Sequence, residues 1–185
     1  RGVRSETVLN LNDVVSGYLQ SPEFERMQGQ YPQALLEADL HPDLLNMAGS
    51  PVHLAKALMN LVCNAVESMP KGGVVTITTR NRYIDSPIQG YDNVHEGDYV
   101  MLAVADEGTG ISAEDRKRIF EPFYTRKVMG RSGTGLGLTV VWGTVSDHKG
   151  YVDVESAQGV GTTFRLFFPV VRQPLPETAM AQSVE

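Results

Sequence analysis

Cysteine is almost absent: Cys63 is the only one in 185 residues. A lone thiol can close no intrachain disulfide and build no cysteine metal cage, a pattern that suits a reducing, cytoplasmic compartment. Basic charge is also scarce. Sixteen Lys and Arg against 22 Asp and Glu leave a net charge of -6, which argues against a broad nucleic-acid footprint and confines any phosphate binding to a local site. No apolar run approaches the roughly 20 residues needed to cross a bilayer; even Val160 to Val171 is interrupted by polar residues. A signal-like N-terminus is missing, while membrane attachment of a parent protein stays open. No G-K-S or G-K-T ends a Walker loop, and no G-x-G-x-x-G directly follows a strand, so P-loop and Rossmann binding are disfavoured.

What is present is enough apolar sequence, 42% of the chain, to bury one core of single-domain size. An extended piece around Val8 to Leu11 leads into a helix from about Asn12 to Met27, capped by Asn12 or Asp13. A strand follows near Leu35 to Leu40. Ser50-Pro51 then opens a helix to Met69, along which Leu54, Leu58, Leu61, Val62, Ala65 and Met69 form an apolar stripe. Val74 to Arg80 alternates like a half-buried strand, with Tyr99 to Asp106 as its partner and an irregular insertion, Asn81 to Gly97, between them. The last third holds a helix from about Gly135 to His148 and strands Tyr151 to Ser156 and Thr162 to Pro169, joined by a glycine-containing hairpin turn. His148, at a helix end, suits a cationic ring. Helices are too few to cover both faces of a sheet, so the expected class is α+β: a two-layer α/β sandwich, mainly antiparallel, with helices on one face. Residues 1–172 read as one domain and 173–185 as a linker or disordered tail.

Three glycine motifs occur in order: Asp106-Glu-Gly108-Thr-Gly110, Gly133-Thr-Gly135-Leu-Gly137 and Gly159-Val-Gly161-Thr162. Singly, each reads more readily as a turn than as a site. The middle one opens a helix, whose unpaired N–H groups and positive dipole end favour phosphate. Arg126, Lys127 and Arg131 precede it, either as a solvated loop or as a lid over phosphates. Asn60 and Asn64 share a helix face with Glu67, where amide oxygens suit a hard cation such as Mg²⁺ or simply bond neighbouring loops. Asp106 ends an apolar strand. Its carboxylate needs a donor there, either a turn N–H or an exocyclic amine such as that of adenine.

In this order the segments resemble the catalytic domains of bacterial sensor histidine kinases, in the superfamily that also contains gyrase-type and chaperone ATPases. Asn60 to Glu67 is similar to the N box, Asp106 to Gly110 to the G1 box and Phe120 to Phe123 to the F box. Gly133 to Leu138 resembles the G2 box, and Gly159 to Phe164 the G3 box. The resemblance implies the Bergerat-type ATP-binding fold with ATP and Mg²⁺ bound. On it, Asn64 would ligate Mg²⁺, Asp106 would bond the adenine amine, and Gly108, Gly110 and Ile111 would line the base. Lys127 would hold the triphosphate with Tyr124, Arg131, Gly133, Thr134, Gly135, Leu136 and Gly137, while Thr162 would reach adenine through water. Asn60 would stand where gyrase-type ATPases place a water-activating glutamate; an amide cannot take that proton, which favours kinase over self-contained ATPase. A non-catalytic docking module is the remaining alternative. Many kinases carry lysine where Glu67 stands.

The phosphoacceptor pattern, a helical His followed by an acid, is not met by His41, His53, His95 or His148; only His95 precedes an acid, and it lies in the insertion. The chain also opens on Arg1 without methionine. These features imply a monomeric fragment of a homodimeric kinase, with residues 1–10 the remnant of a connector from dimerising, histidine-bearing helices. A receiver domain or response regulator would lie downstream.

Overall fold

A computed structural model describes residues 6–120 and 137–177 of the chain. Strand β1 (Thr7–Leu9) leads into helix α1 (Leu11–Leu19), whose cap is Asn10, accepting from Asn12 N–H at 3.0 Å. The expected cap, Asn12, does something else. Its amide N–H donates to the His41 carbonyl at 2.8 Å, and its oxygen accepts from the buried Thr79 hydroxyl at 2.7 Å. The expected single helix to Met27 is two. Pro22 disfavours helical backbone at the residue before it and cannot donate to a preceding turn, so Ser21 caps a second helix, α2 (Pro22–Gln30), accepting from Phe24 N–H at 3.2 Å.

Strands β2 (Ala34–Asp39) and β3 (Asn46–Gly49) follow, then helix α3 (Pro51–Glu67) with Ser50 as its cap. The strip Leu54, Ala57, Leu58, Leu61, Val62, Ala65 and Val66 is buried, as the periodicity requires. Strand β4 (Gly73–Ile84) runs longer than the alternating stretch suggested and pairs antiparallel with β5 (Gly97–Asp106), Ile77 opposite Val104. A single short turn, α4 (Ala113–Arg116), precedes Phe120; helix α5 (Gly137–Asp147) and strands β6 (Tyr151–Ala157) and β7 (Gly161–Val171) complete the described chain. Within the described residues the sheet order is β1-β3-β7-β5-β4-β2, with β6 also on β7; β2 and β4 are parallel and every other pair antiparallel.

The helices share one core with the inward side chains Val75, Ile77, Val100, Leu102, Val104, Val152, Phe164, Leu166 and Phe168. This is the expected two-layer sandwich with helices on one face. Behind α5 the expected cationic histidine is instead a buried neutral one. The Ser50 N–H can only donate, so His148 Nε2 accepts it at 3.0 Å; the Thr144 carbonyl can only accept, so Nδ1 carries the proton at 2.7 Å. A Cβ at Gly49 would strike that ring.

Candidate functional site

Among the described residues, two of the glycine motifs and the Asn60–Glu67 segment meet at one end of the sheet, with Gly137 beside them. Asp106, the last residue of β5, lies opposite Thr162 in the β5–β7 register. Its Oδ1 accepts the Gly108 N–H at 2.9 Å, so the carboxylate does shape the turn that follows. Thr162 is buried, and its hydroxyl lies 2.8 Å from that of Ser156; Ser156 in turn accepts from Ile111 N–H at 2.7 Å. One β6 serine thereby joins the loop after β5 to the start of β7.

Glycine is required in this loop by protein neighbours before any ligand is considered. A Cβ at Gly108 would overlap Ser68 at the end of α3; at Gly110, whose φ is 71°, it would overlap the Ala157 carbonyl; at Gly161 it would overlap the Asp106 carbonyl. The Thr109 N–H also donates to Ser68 O at 3.3 Å, and Gly159 N–H donates to Thr109 O at 2.7 Å. The Asp106–Gly110 loop is thus clamped between the C-terminus of α3, whose last carbonyl it satisfies, and the β6–β7 turn. Ile111 closes the underside as a buried member of the main core.

On α3, Asn60, Cys63, Asn64 and Glu67 are half-buried along the helix edge beside the apolar strip. Burial, and then the Glu67 carboxylate, push the Cys63 thiol above its ordinary range, which keeps it protonated and poorly nucleophilic. The oxygens of Asn60, Asn64 and Glu67 are the donor type a Mg²⁺ ion takes alongside phosphate and water. The start of α5 comes to the same edge, since a Cβ added to Gly137 would sit 3.8 Å from the Asn60 side chain. Of the sequence-nominated residues, Asn60, Asn64, Asp106, Gly108, Gly110, Ile111, Gly137 and Thr162 are therefore grouped on α3, the end of β5, α5 and β7. Tyr124, Arg126, Lys127, Arg131, Gly133, Thr134, Gly135 and Leu136 lie outside the described residues.

No sequence signal marks Ser68 or Ser156. Both are small polar residues with no local pattern; their importance comes from meeting Gly108 and Ile111 across the fold. His95 is confirmed off any helix: its N–H donates to the Tyr151 hydroxyl at 3.0 Å and its carbonyl accepts from the Tyr99 hydroxyl.

Among known proteins the chain is 36% identical to sensor kinase CckA of Brucella abortus over 183 residues, covering 86% of this chain and 19% of that protein. It is 34% identical to sporulation kinase E of Bacillus subtilis over 143 residues, covering 77% of this chain and 17% of that kinase. It thus spans about a fifth of the length of these curated relatives. In fold it matches the solved catalytic domain of histidine kinase ThkA with a TM-score of 0.67 at 24% identity, covering 90% of this chain and 98% of that one. Residues 49–172, which contain every grouped site residue, match the model of the histidine kinase-, DNA gyrase B- and HSP90-like ATPases, and the chain belongs to that family.

Proposed function

We propose that the chain binds ATP·Mg²⁺ and donates the γ-phosphate to a histidine on a separate helical domain of a two-component sensor kinase. The observation that carries this reading is the pairing of Asp106 at the end of β5 with Thr162 at the start of β7, tied to the C-terminus of α3, the helix that bears Asn60 and Asn64, by the hydrogen bond from Thr109 N–H to Ser68 O. Adenine would lie against Gly108, Gly110 and Ile111, its amine on Asp106 and, through water, near Thr162. Asn64 would supply one oxygen to Mg²⁺, whose charge would offset that of the phosphates. Lys127, with Tyr124, Arg131 and the backbone from Gly133 to Gly137, would hold the triphosphate.

Transfer breaks the bond from the γ-phosphorus to the bridging oxygen as the acceptor imidazole nitrogen bonds phosphorus, and ADP leaves. The domain's task is positioning and charge neutralisation. Asn60 contributes by what it withholds: its amide accepts no proton from water, so the γ-phosphate persists for the better-placed imidazole.

Residues 1–172 would be the nucleotide-binding unit, entered from the dimerising helices through β1 and left through a 173–185 linker toward a receiver domain or response regulator. The chain itself would be a monomer and the parent a cytoplasmic-facing homodimer. Incubation with γ-labelled ATP tests the core of the reading. Titration should show saturable binding, the chain should acquire no stable label and release phosphate slowly, and added histidine-bearing helices of the parent kinase should become labelled. Stable label on the chain itself would overturn it.

A further inference from the structure

Ser156, on β6, stands where three segments meet. Its Oγ accepts the Ile111 N–H at 2.7 Å, donates to the Gly161 carbonyl at 3.1 Å and lies 2.8 Å from the Thr162 hydroxyl. A hydroxyl has one proton and two lone pairs, an amide N–H can only donate, and a carbonyl can only accept. All three contacts are hydrogen bonds together in one arrangement alone. Ile111 fills one lone pair of Ser156, the Ser156 proton goes to Gly161, and the proton of Thr162 fills the remaining lone pair. Thr162 thereby commits its only proton, and toward any further partner its oxygen accepts. The same residue is buried and lies directly opposite Asp106 in the β5–β7 register, and opposed residues of an antiparallel pair turn their side chains to one face. A carboxylate likewise only accepts. Hydrogen bonds inside the protein thus set two acceptors beside each other at this end of the sheet.

We propose that Ser156 is a positioning residue for base selection: by taking the Thr162 proton it fixes Thr162 as an acceptor beside Asp106, so that the site takes a purine with an amino group at C6 and rejects one with an oxo group there. The inference rests on the adenine reading of Asp106 and Thr162 given above. A 6-amino group brings two N–H donors to two acceptors. A 6-oxo group brings none and adds a third acceptor, and a buried acceptor left without a donor is destabilising. Released from Ser156, the Thr162 hydroxyl can turn, accepting from an amine or donating to a carbonyl. Rejection of the oxo base therefore depends on a serine that acts through its neighbour.

Calorimetric titration of the whole chain with ATP·Mg²⁺ and with inosine triphosphate·Mg²⁺ tests this. The two nucleotides carry the same ribose and triphosphate, so whatever holds those groups cancels in the ratio of their affinities. Wild type should prefer ATP by about a hundredfold or more. Ser156→Ala should lower that ratio about tenfold, the worth of one hydrogen bond, and Ser156→Thr, which keeps the hydroxyl, should restore it. In a Thr162→Val background, Ser156→Ala should change the ratio no further, because the serine acts only through the Thr162 hydroxyl. A merely structural role would lower the melting temperature and weaken both nucleotides by the same factor. An unchanged ratio in Ser156→Ala overturns the proposal, as does a further change in the Thr162→Val background. Where alanine unfolds the chain by orphaning the Ile111 N–H, Ser156→Cys keeps a side chain of similar shape with only weak hydrogen bonding, and its ratio decides in the same way. Wild type that binds neither nucleotide, or both alike, overturns the adenine reading and this proposal with it; wild type that prefers ATP with a ratio indifferent to Ser156 overturns this proposal alone.

Discussion

Strand β5 ends in two opposite ways. At Asp106 the chain removes side chains: Gly108, Gly110 and Gly161 bring three backbone segments so close that no Cβ fits between them. At Gly97 and Tyr99 it accumulates them, with Ile84, Tyr99 and Tyr151 forming a second small cluster against which Tyr91, Val94 and Phe167 pack. The first end leaves Asp106 and Thr162 in a rigid frame of backbone hydrogen bonds; the second holds a loop in place with rings. Backbone-to-backbone contact tolerates no added atom, whereas an aromatic cluster tolerates exchanges of similar shape. Chemistry that needs fixed geometry belongs at the first end, and adjustable coupling at the second.

The sharpest way to break this comparison is Gly110→Ala. A left-handed backbone and overlap with Ala157 together should cost about 3 kcal/mol, read as a lowered denaturation midpoint; a stable variant that merely failed to bind ATP would mean that the glycine serves the ligand instead. Next comes Asp106→Asn. The amide oxygen can keep the bond from Gly108 N–H, so stability should change little while ATP affinity falls about tenfold or more, equivalent to about 1.4 kcal/mol. Unchanged affinity would remove the adenine assignment.

At the aromatic end the effects should be smaller. Tyr91→Phe keeps the ring and deletes the acceptor of Val152 N–H, for about 1 kcal/mol in chemical denaturation and little change in ATP binding. Least of all is a pH effect. Burial first, and then the neighbouring Tyr151 hydroxyl, push the Tyr99 phenol up to about 12. A raised phenol favours the folded state fully below its ordinary value near 10, and that contribution is lost as pH rises toward 12. Stability should therefore fall over this window, and Tyr99→Phe should flatten the fall.

Much of this could be read from the chain alone. Ser50, Pro51 and the apolar strip to Met69 placed α3 within a residue or two, because a cap and a 3.6-residue period are local signals. The first and third glycine motifs marked the loops that meet beside Asp106 and Thr162, while the middle one, apart from Gly137, lies outside the described residues. Strand β3 escaped notice because Asn46–Gly49 is too short to show alternation; it is made a strand by β1 and the last residues of β7. The break between α1 and α2 was available in Ser21-Pro22, whose punctuation was outweighed by a continuous helical pattern.

Sequence by itself determined the element types, the one-faced sandwich and the residue kinds suited to nucleotide chemistry, since caps, periodicity and glycine punctuation act over a few residues. Tertiary structure alone decided that Asn12 ties loops together instead of capping, that His148 is neutral, and that Ser68 and Ser156 frame the site. It likewise decided that the insertion packs against α5, Tyr91 stacking on Trp142. Those outcomes depend on partners such as Ile111 and Ser156, 45 residues apart, or Ser50 and His148, 98 apart, and no local preference encodes which distant group will supply the missing hydrogen bond.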